Sequence, residues 1–265
     1  MYDLPELNWA HYALSQALLI ELSHASGFGA GDMPAHREQP DELLGFWRDP
    51  MLLLSQSCGY PVVTIMRGQF RLVATPCYGA EGCSGAWMRS AVLVRAGDPA
   101  VTLADLRGRA VAAINGYESN SGMNLLRAAI APLAHDGVFL SGVVVTGAHV
   151  ASMRAVADGS ADVTAIDCVT LALLRRVRPA SFEGLRILEW TQPTPGLPLV
   201  TSAGMSDAGV DALRAALDAV LRDPALKPAR QALLLEGFEL LDDAAYARVT
   251  EVEQEAIALG YPVLR

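Results

Sequence analysis

The sequence predicts an α/β protein of two lobes with a ligand cleft between them. Three observations carry that expectation. Apolar segments of helical period alternate with short β-rich runs along the 265 residues, the pattern of layered α/β architecture. Proline and glycine fall at the breaks, where they end regular structure. Two extended runs, Ala86 to Arg95 and Leu185 to Thr191, bracket a compact set of strand–helix units. They are placed to carry the chain between lobes. Residues 90–190 are therefore expected as an inserted lobe, and residues 1–89 with 191–265 as the other.

The elements follow in order. Leu7 to Ala25 reads as a long helix with Trp9, Ala13, Leu14, Ala17, Leu18 and Leu22 on its apolar positions, ended by Gly27-Phe28-Gly29. Asp41 to Trp47 reads as a shorter helix before Pro50, and Met51 to Gln56 as a strand with a polar end. Cys58-Gly-Tyr-Pro61 turns into a short helix. Phe70 to Thr75 is the next strand, followed by Pro76-Cys77-Tyr78 and a glycine-rich loop to Gly85. After Ala86 to Arg95 comes a helical turn, Val101 to Leu106, and then the strand Arg109 to Asn115. Met123 to Ala131 is helical, Val138 to Thr146 is β-rich, and Gly147-Ala148-His149 opens a helix that Gly159 stops. Ala161 to Asp167 is a strand and Cys168 to Val177 a helix. Beyond Leu185 to Thr191, residues 192–198 form a linker and Leu199 to Ser202 a strand. The remainder is expected to be helical, over Asp207 to Arg222, Pro224 to Leu235 and Asp243 to Gly260.

Bulk properties narrow the function. The net charge is −9 and the pI about 5.0, without the basic clusters of a nucleic-acid binder. No apolar run reaches the roughly 18 residues of a membrane span. Met1 to Glu6 has none of the parts of a signal peptide. The four cysteines, Cys58, Cys77, Cys83 and Cys168, contain no C-x-x-C pair and give no zinc pattern. No metal or cofactor is expected. Cys58 and Cys83 fall at one edge of the first lobe, close enough for a disulfide in an oxidising compartment and two thiols in cytosol.

The most informative stretch is Gly116-Tyr-Glu-Ser-Asn-Ser-Gly122, between a strand and a helix. A helix start leaves backbone N–H groups unpaired and carries about half a positive charge. With Ser119, Asn120, Ser121 and Gly122 around it, such a start holds an oxyanion without lysine or arginine. A serine here equally well caps the helix. His149 and Asp167 follow strands at the same edge, where ligands bind in open α/β sheets. Asp167 is either a helix cap or a carboxylate facing the cleft, whereas Asp162 is structural. Gln56, Tyr60 and Tyr78 sit after strand ends in the first lobe, and such tyrosines either wall a cleft or pack in the core. Arg89 is expected to be structural. No activated nucleophile, Walker loop or G-x-G-x-x-G pattern is present, and no catalytic residue is assigned.

Five motifs in order, Leu54-Ser-Gln-Ser-Cys-Gly-Tyr-Pro61, Thr75-Pro-Cys-Tyr78 with Gly82-Cys-Ser-Gly85, Ser119-Asn-Ser-Gly122, Gly147-Ala-His149 and Ala161-Asp-Val-Thr-Ala-Ile-Asp167, resemble the phosphate/phosphonate-binding family of ABC-importer substrate-binding proteins. The resemblance covers about residues 50–200. It implies the type 2 periplasmic-binding-protein fold, hinge closure over the ligand, and binding without catalysis of a phosphonate, phosphate or similar solute. It implies that the serine-rich helix start and His149 hold the oxyanion, while Tyr78, Asp167 and Tyr2 read the rest of the ligand. It implies an ABC permease as partner, and the chain is expected to act as a monomer. A first strand is expected before Tyr2. The expected location is periplasmic if a signal peptide was trimmed, and cytoplasmic if the sequence is complete as written. The competing readings are an enzyme of the same fold acting on a phosphorylated or pyrimidine-type metabolite, and a cytosolic ligand sensor.

Overall fold

A computed structural model describes residues 2–26 and 45–265. A 3-10 turn, Pro5–Leu7, leads into the helix Asn8–Ser26. Ala10, Leu18, Leu19 and Leu22 are buried on it. Trp9, expected on the apolar face, is 53% exposed, because the buried stripe passes one position along. Residues 45–47 are helical. The rest of the predicted Asp41 to Trp47 helix and the Gly27-Phe28-Gly29 stop lie outside the described residues.

The first sheet is antiparallel. It contains β1 (Ser55–Gln56) and β2 (Phe70–Tyr78). A small sheet begins with β3 (Cys83–Ser84) and β4 (Trp87–Met88), which runs through Arg89 into β5 (Ser90–Arg95). The predicted strand Ala86 to Arg95 is thus two strands that serve two sheets. The second sheet adds β6 (Val111–Ile114), β7 (Gly142–Val145), β8 (Val163–Asp167) and β9 (Leu185–Trp190) to β5, in the order β7-β6-β8-β5-β9. β6 runs parallel to β7 and β8, and β5 antiparallel to β8 and β9. β10 (Thr194–Pro195) falls inside the predicted linker and pairs with β4. β11 (Leu199–Ser202) lies between β1 and β2.

Burial explains the second sheet. On β5, Ala91 and Leu93 enter one cluster with Met153 and Ile166, and Val92 and Val94 enter another with Ile114, Leu126 and Phe139. Both faces are covered, so the strand reads as a continuous apolar run. Helices on the two faces supply the cover: His149–Asp158 and Cys168–Val177 on one, Leu125–Ile130 on the other.

The chain departs from expectation after Arg222. Pro224–Leu226 is a 3-10 turn, and only Lys227–Ala232 is α-helical. Leu234 then takes φ +57, and Leu235–Glu239 forms β12, which pairs with β2. The predicted helix Pro224 to Leu235 therefore ends in a turn and a strand. Gly237 weakens helix formation there, and the open edge of β2 supplies the hydrogen bonds. The last helix, Asp243–Ala258, lies beside Leu125–Ile130. Ala256, Tyr261 and Leu264 join the Val92 and Ile114 cluster, and the Arg265 carbonyl accepts from the backbone of Phe139 and Leu140. Asp162 and Arg89 are structural: Asp162 pairs with Arg95 at 2.7 Å and accepts from Val111 N–H, and Arg89 donates to the Thr191 carbonyl.

Candidate functional site

The site is built where three parallel strands end at one edge. β6 leads to Asn115 and the serine loop, β7 to Thr146 and His149, and β8 ends on Asp167. The helix after β6 begins with a π-helical turn, Asn120–Asn124, before the α-helix Leu125–Ile130. Ser119 is its N-cap, with Oγ accepting from Gly122 N–H at 3.0 Å. Accepting that bond leaves the Ser119 hydroxyl proton free to donate. Asn120 is committed elsewhere: it donates to Thr194 Oγ1 at 2.9 Å and accepts from Asn124 at 3.0 Å.

Ser121 Oγ lies 3.1 Å from His149 Nε2, and the same nitrogen is 3.6 Å from Asp167 Oδ2. Asp167 is the helix cap that the sequence offered as one reading, and its second oxygen is turned to the histidine. Its Oδ1 caps the helix Cys168–Val177 by accepting from Thr170 N–H at 2.8 Å, and its Oδ2 faces the histidine. Burial pushes the His149 pKa below its ordinary value, and the neighbouring Asp167 only partly offsets this. The imidazole is therefore neutral near pH 7. A neutral imidazole carries one hydrogen, and the Ser121 hydroxyl accepts from His149 when it is on Nε2 and donates when it is on Nδ1.

Two buried polar atoms beside this loop have no partner, Asn115 Oδ1 and His149 Nδ1. Gly122 sits against both residues. A Cβ there would collide with Asn115 Oδ1 and meet His149 Cε1 at 3.2 Å, so glycine is required for close packing rather than for its φ. Asn115 was not singled out in the sequence, although its place at a strand's carboxyl end is the same signal that pointed to Asp167. Arg127, the basic residue nearest in sequence, is held by Asn124, Glu253 and the Pro262 carbonyl, so the loop's own donors are neutral.

The N-terminus and the end of β2 supply aromatic groups. Tyr2 and Tyr78 meet edge to face with centroids 5.3 Å apart, and Gln56 donates to Tyr78 Oη at 3.2 Å. The Tyr2 hydroxyl is buried without a partner. Burial, then the nearby Asp167 carboxylate, raises the Tyr2 pKa. Burial also raises that of Tyr78. Both phenols are neutral donors. The Tyr60 hydroxyl donates to Glu253 at 2.7 Å, and burial with that bond moves its pKa to about 12. The expected proximity of Cys58 and Cys83 is replaced by another. Cys83 Sγ contacts Cys168 Sγ at 3.3 Å, whereas Cys58 is near the backbone N–H groups of Asn120 and Tyr60. A cavity of about 560 Å³ reaches Tyr2, Gln56 and Tyr78. Leucines and Phe238 line much of the rest, and the serine loop does not border it.

Comparison with known proteins gives the class. Residues 52–246 match the family described as ABC transporter, phosphonate, periplasmic substrate-binding protein. The match spans well over half of the chain, and the protein belongs to that family. Solved structures share the two-lobed fold. A binding-protein component of an ABC phosphonate transporter (PA3383) from Pseudomonas aeruginosa superposes with TM-score 0.75 at 16% identity, over 94% of this chain and 82% of that one. XAC2383 from Xanthomonas citri, bound to ATP, gives 0.71 at 19% identity over 95% and 94%. PhnD1 from Prochlorococcus marinus (MIT 9301), in complex with methylphosphonate, gives 0.70 at 13% identity over 96% and 94%. No curated protein matches by sequence. Among the described residues, no helix is long and apolar enough to cross a membrane.

Proposed function

We propose that the protein binds a small phosphonate, phosphate or similar oxyanion in the cleft and presents it, as a monomer, to an ABC permease. Its place is the periplasm. The lobes are residues 1–89 with 191–265 and residues 90–190, hinged at β5 and β9, and the C-terminal helix lies across the second. The Ser119 and Ser121 hydroxyls take the oxyanion at the helix start, with Asn120 and Gly122 shaping the turn that presents them. His149 orients Ser121. Asp167, Tyr2, Tyr78 and Gln56 read the remainder of the ligand, with Tyr60 bordering the site through its bond to the last helix.

The observation that carries this reading is the serine-capped helix start at the edge where the strands end, where Ser119 keeps its hydroxyl proton free to donate and Ser121 stands beside a neutral His149. Both serines are buried, so their hydroxyls are shielded from water and suit an anion without a charged side chain. Hydrolase chemistry is disfavoured by the same geometry. Ser121 and Asp167 address one ring nitrogen, whereas a base oriented for proton relay uses both. Titration calorimetry of the purified chain with methylphosphonate and inorganic phosphate tests the proposal. Saturable binding at one site per chain supports it. No heat and no thermal stabilisation with either anion, or with other phosphonates and sulfonates, refutes it.

A further inference from the structure

The glycine-rich loop after Tyr78 brings two thiols together. Cys83 and Cys168 face each other at 3.3 Å, one on the β3–β4 hairpin and one at the start of the helix that Asp167 caps. The backbone is shaped for this approach. Gly82 has φ +96, and a Cβ on it would lie 2.9 Å from Cys168 Cβ and 2.7 Å from the Trp190 ring. Arg89 N–H donates to the Gly82 carbonyl and Cys168 N–H to the Arg89 carbonyl, which hold hairpin and helix start side by side. Cys83 is partly exposed and Cys168 is buried. We propose that Cys83 and Cys168 are a reversible disulfide site that fastens the loop following Tyr78 to the helix following Asp167.

The two sulfurs have different parts in the reaction. The sulfur–sulfur contact lowers the Cys83 pKa and raises that of Cys168, and Cys83 is the more exposed of the two. Cys83 is therefore the attacking thiolate. With a small-molecule disulfide such as oxidised glutathione, Cys83 bonds to one glutathione sulfur and expels the other as glutathione thiolate. Cys168 then loses its proton, bonds to Cys83 Sγ and expels the second glutathione. Two protein thiols are oxidised and one glutathione disulfide becomes two thiols.

The test treats the full chain with oxidised glutathione, alkylates remaining thiols and maps the digest by mass spectrometry. The expected product has a Cys83–Cys168 linked peptide, alkylated Cys58 and Cys77, and four alkylated cysteines after dithiothreitol. The link persists in Cys58→Ser/Cys77→Ser and is lost in Cys83→Ser. Amide exchange across residues 79–85 slows by about fivefold or more in the oxidised form, as an added restraint raises the cost of local opening. A stable glutathione adduct on Cys83 beside alkylated Cys168, a Cys58–Cys83 link, or unchanged exchange in the linked form overturns the proposal.

Discussion

Ser121 Oγ and His149 Nε2 lie 3.1 Å apart and join two strand-to-helix turns that are 28 residues apart in sequence. Through His149 the contact extends to Asp167, so all three strand ends of the parallel segment meet at one point. Ser121 has no capping duty, whereas Ser119 does. The two serines are therefore separable by mutation.

Ser121→Ala is expected to weaken oxyanion binding by about 1–2 kcal/mol, toward the low end for a hydrogen bond to a charged group, and to leave thermal stability nearly unchanged. Ser119→Ala is expected to lose a comparable contact and also about 1 kcal/mol of stability through the cap. The double variant is expected to lose about 2–4 kcal/mol of binding. Calorimetry and thermal melts read the two effects independently. Unchanged affinity in the double variant removes this loop from the site.

Gly122→Ala places a methyl group against Asn115 Oδ1 and His149 Cε1. The expected cost is about 1–3 kcal/mol from overpacking, with binding weakened about tenfold or more as the loop shifts. Asn115→Ala in the same chain removes the obstructing oxygen and is expected to restore part of the stability. A double-mutant cycle on thermal midpoints measures that coupling, and additive losses contradict the packing account.

Much of this site was legible in the sequence, because the rule that ligands bind at strand carboxyl ends needs only strands and small polar residues after them. Ser119, Ser121, His149 and Asp167 were all placed by it. The pairing of Cys83 with Cys168 was not, since 85 positions separate them and the whole second sheet decides their approach. Tyr60 has a partner that local sequence does not reveal. Its local position matches that of a cleft residue, but its partner Glu253 comes from the last helix. β12 was missed for an energetic reason: residues after Ala232 continue an apolar pattern, and pairing with β2 overrides local propensity.

The His149 environment sets a pH dependence. Its folded-state pKa is depressed from 6.5, chiefly by burial. In the window between that depressed value and 6.5 the unfolded chain binds the proton and the folded chain does not. Stability is therefore greatest above 6.5 and is lost as pH falls through the window. His11 is also depressed by burial and acts with the same sign. His149→Ala is expected to flatten part of the slope, and His11→Ala with it the rest of the histidine contribution. Denaturant midpoints from pH 7.5 to about 5 check this. An unchanged slope in both variants overturns the assignment.

Asp167 provides the sharpest test, because its two oxygens have different duties. Oδ1 holds Thr170 N–H, Oδ2 faces His149, and the carboxylate is near enough to Tyr2 to raise its pKa. Asparagine still offers an oxygen to the helix start, so Asp167→Asn is expected to change stability by no more than a few tenths of a kcal/mol. The substitution removes a negative charge from beside the proposed oxyanion position. A carboxylate there repels a bare anion and attracts an ammonium group on the same ligand. Asp167→Asn is accordingly expected to weaken binding of an amine-bearing phosphonate by about 1.5–3 kcal/mol while leaving phosphate unchanged or slightly tighter. His149→Ala is expected to weaken both, because it removes the support of Ser121. Parallel titrations of the two anions against the two variants distinguish these outcomes. Equal losses for both anions in Asp167→Asn, or no loss for either, reduce Asp167 to a helix cap.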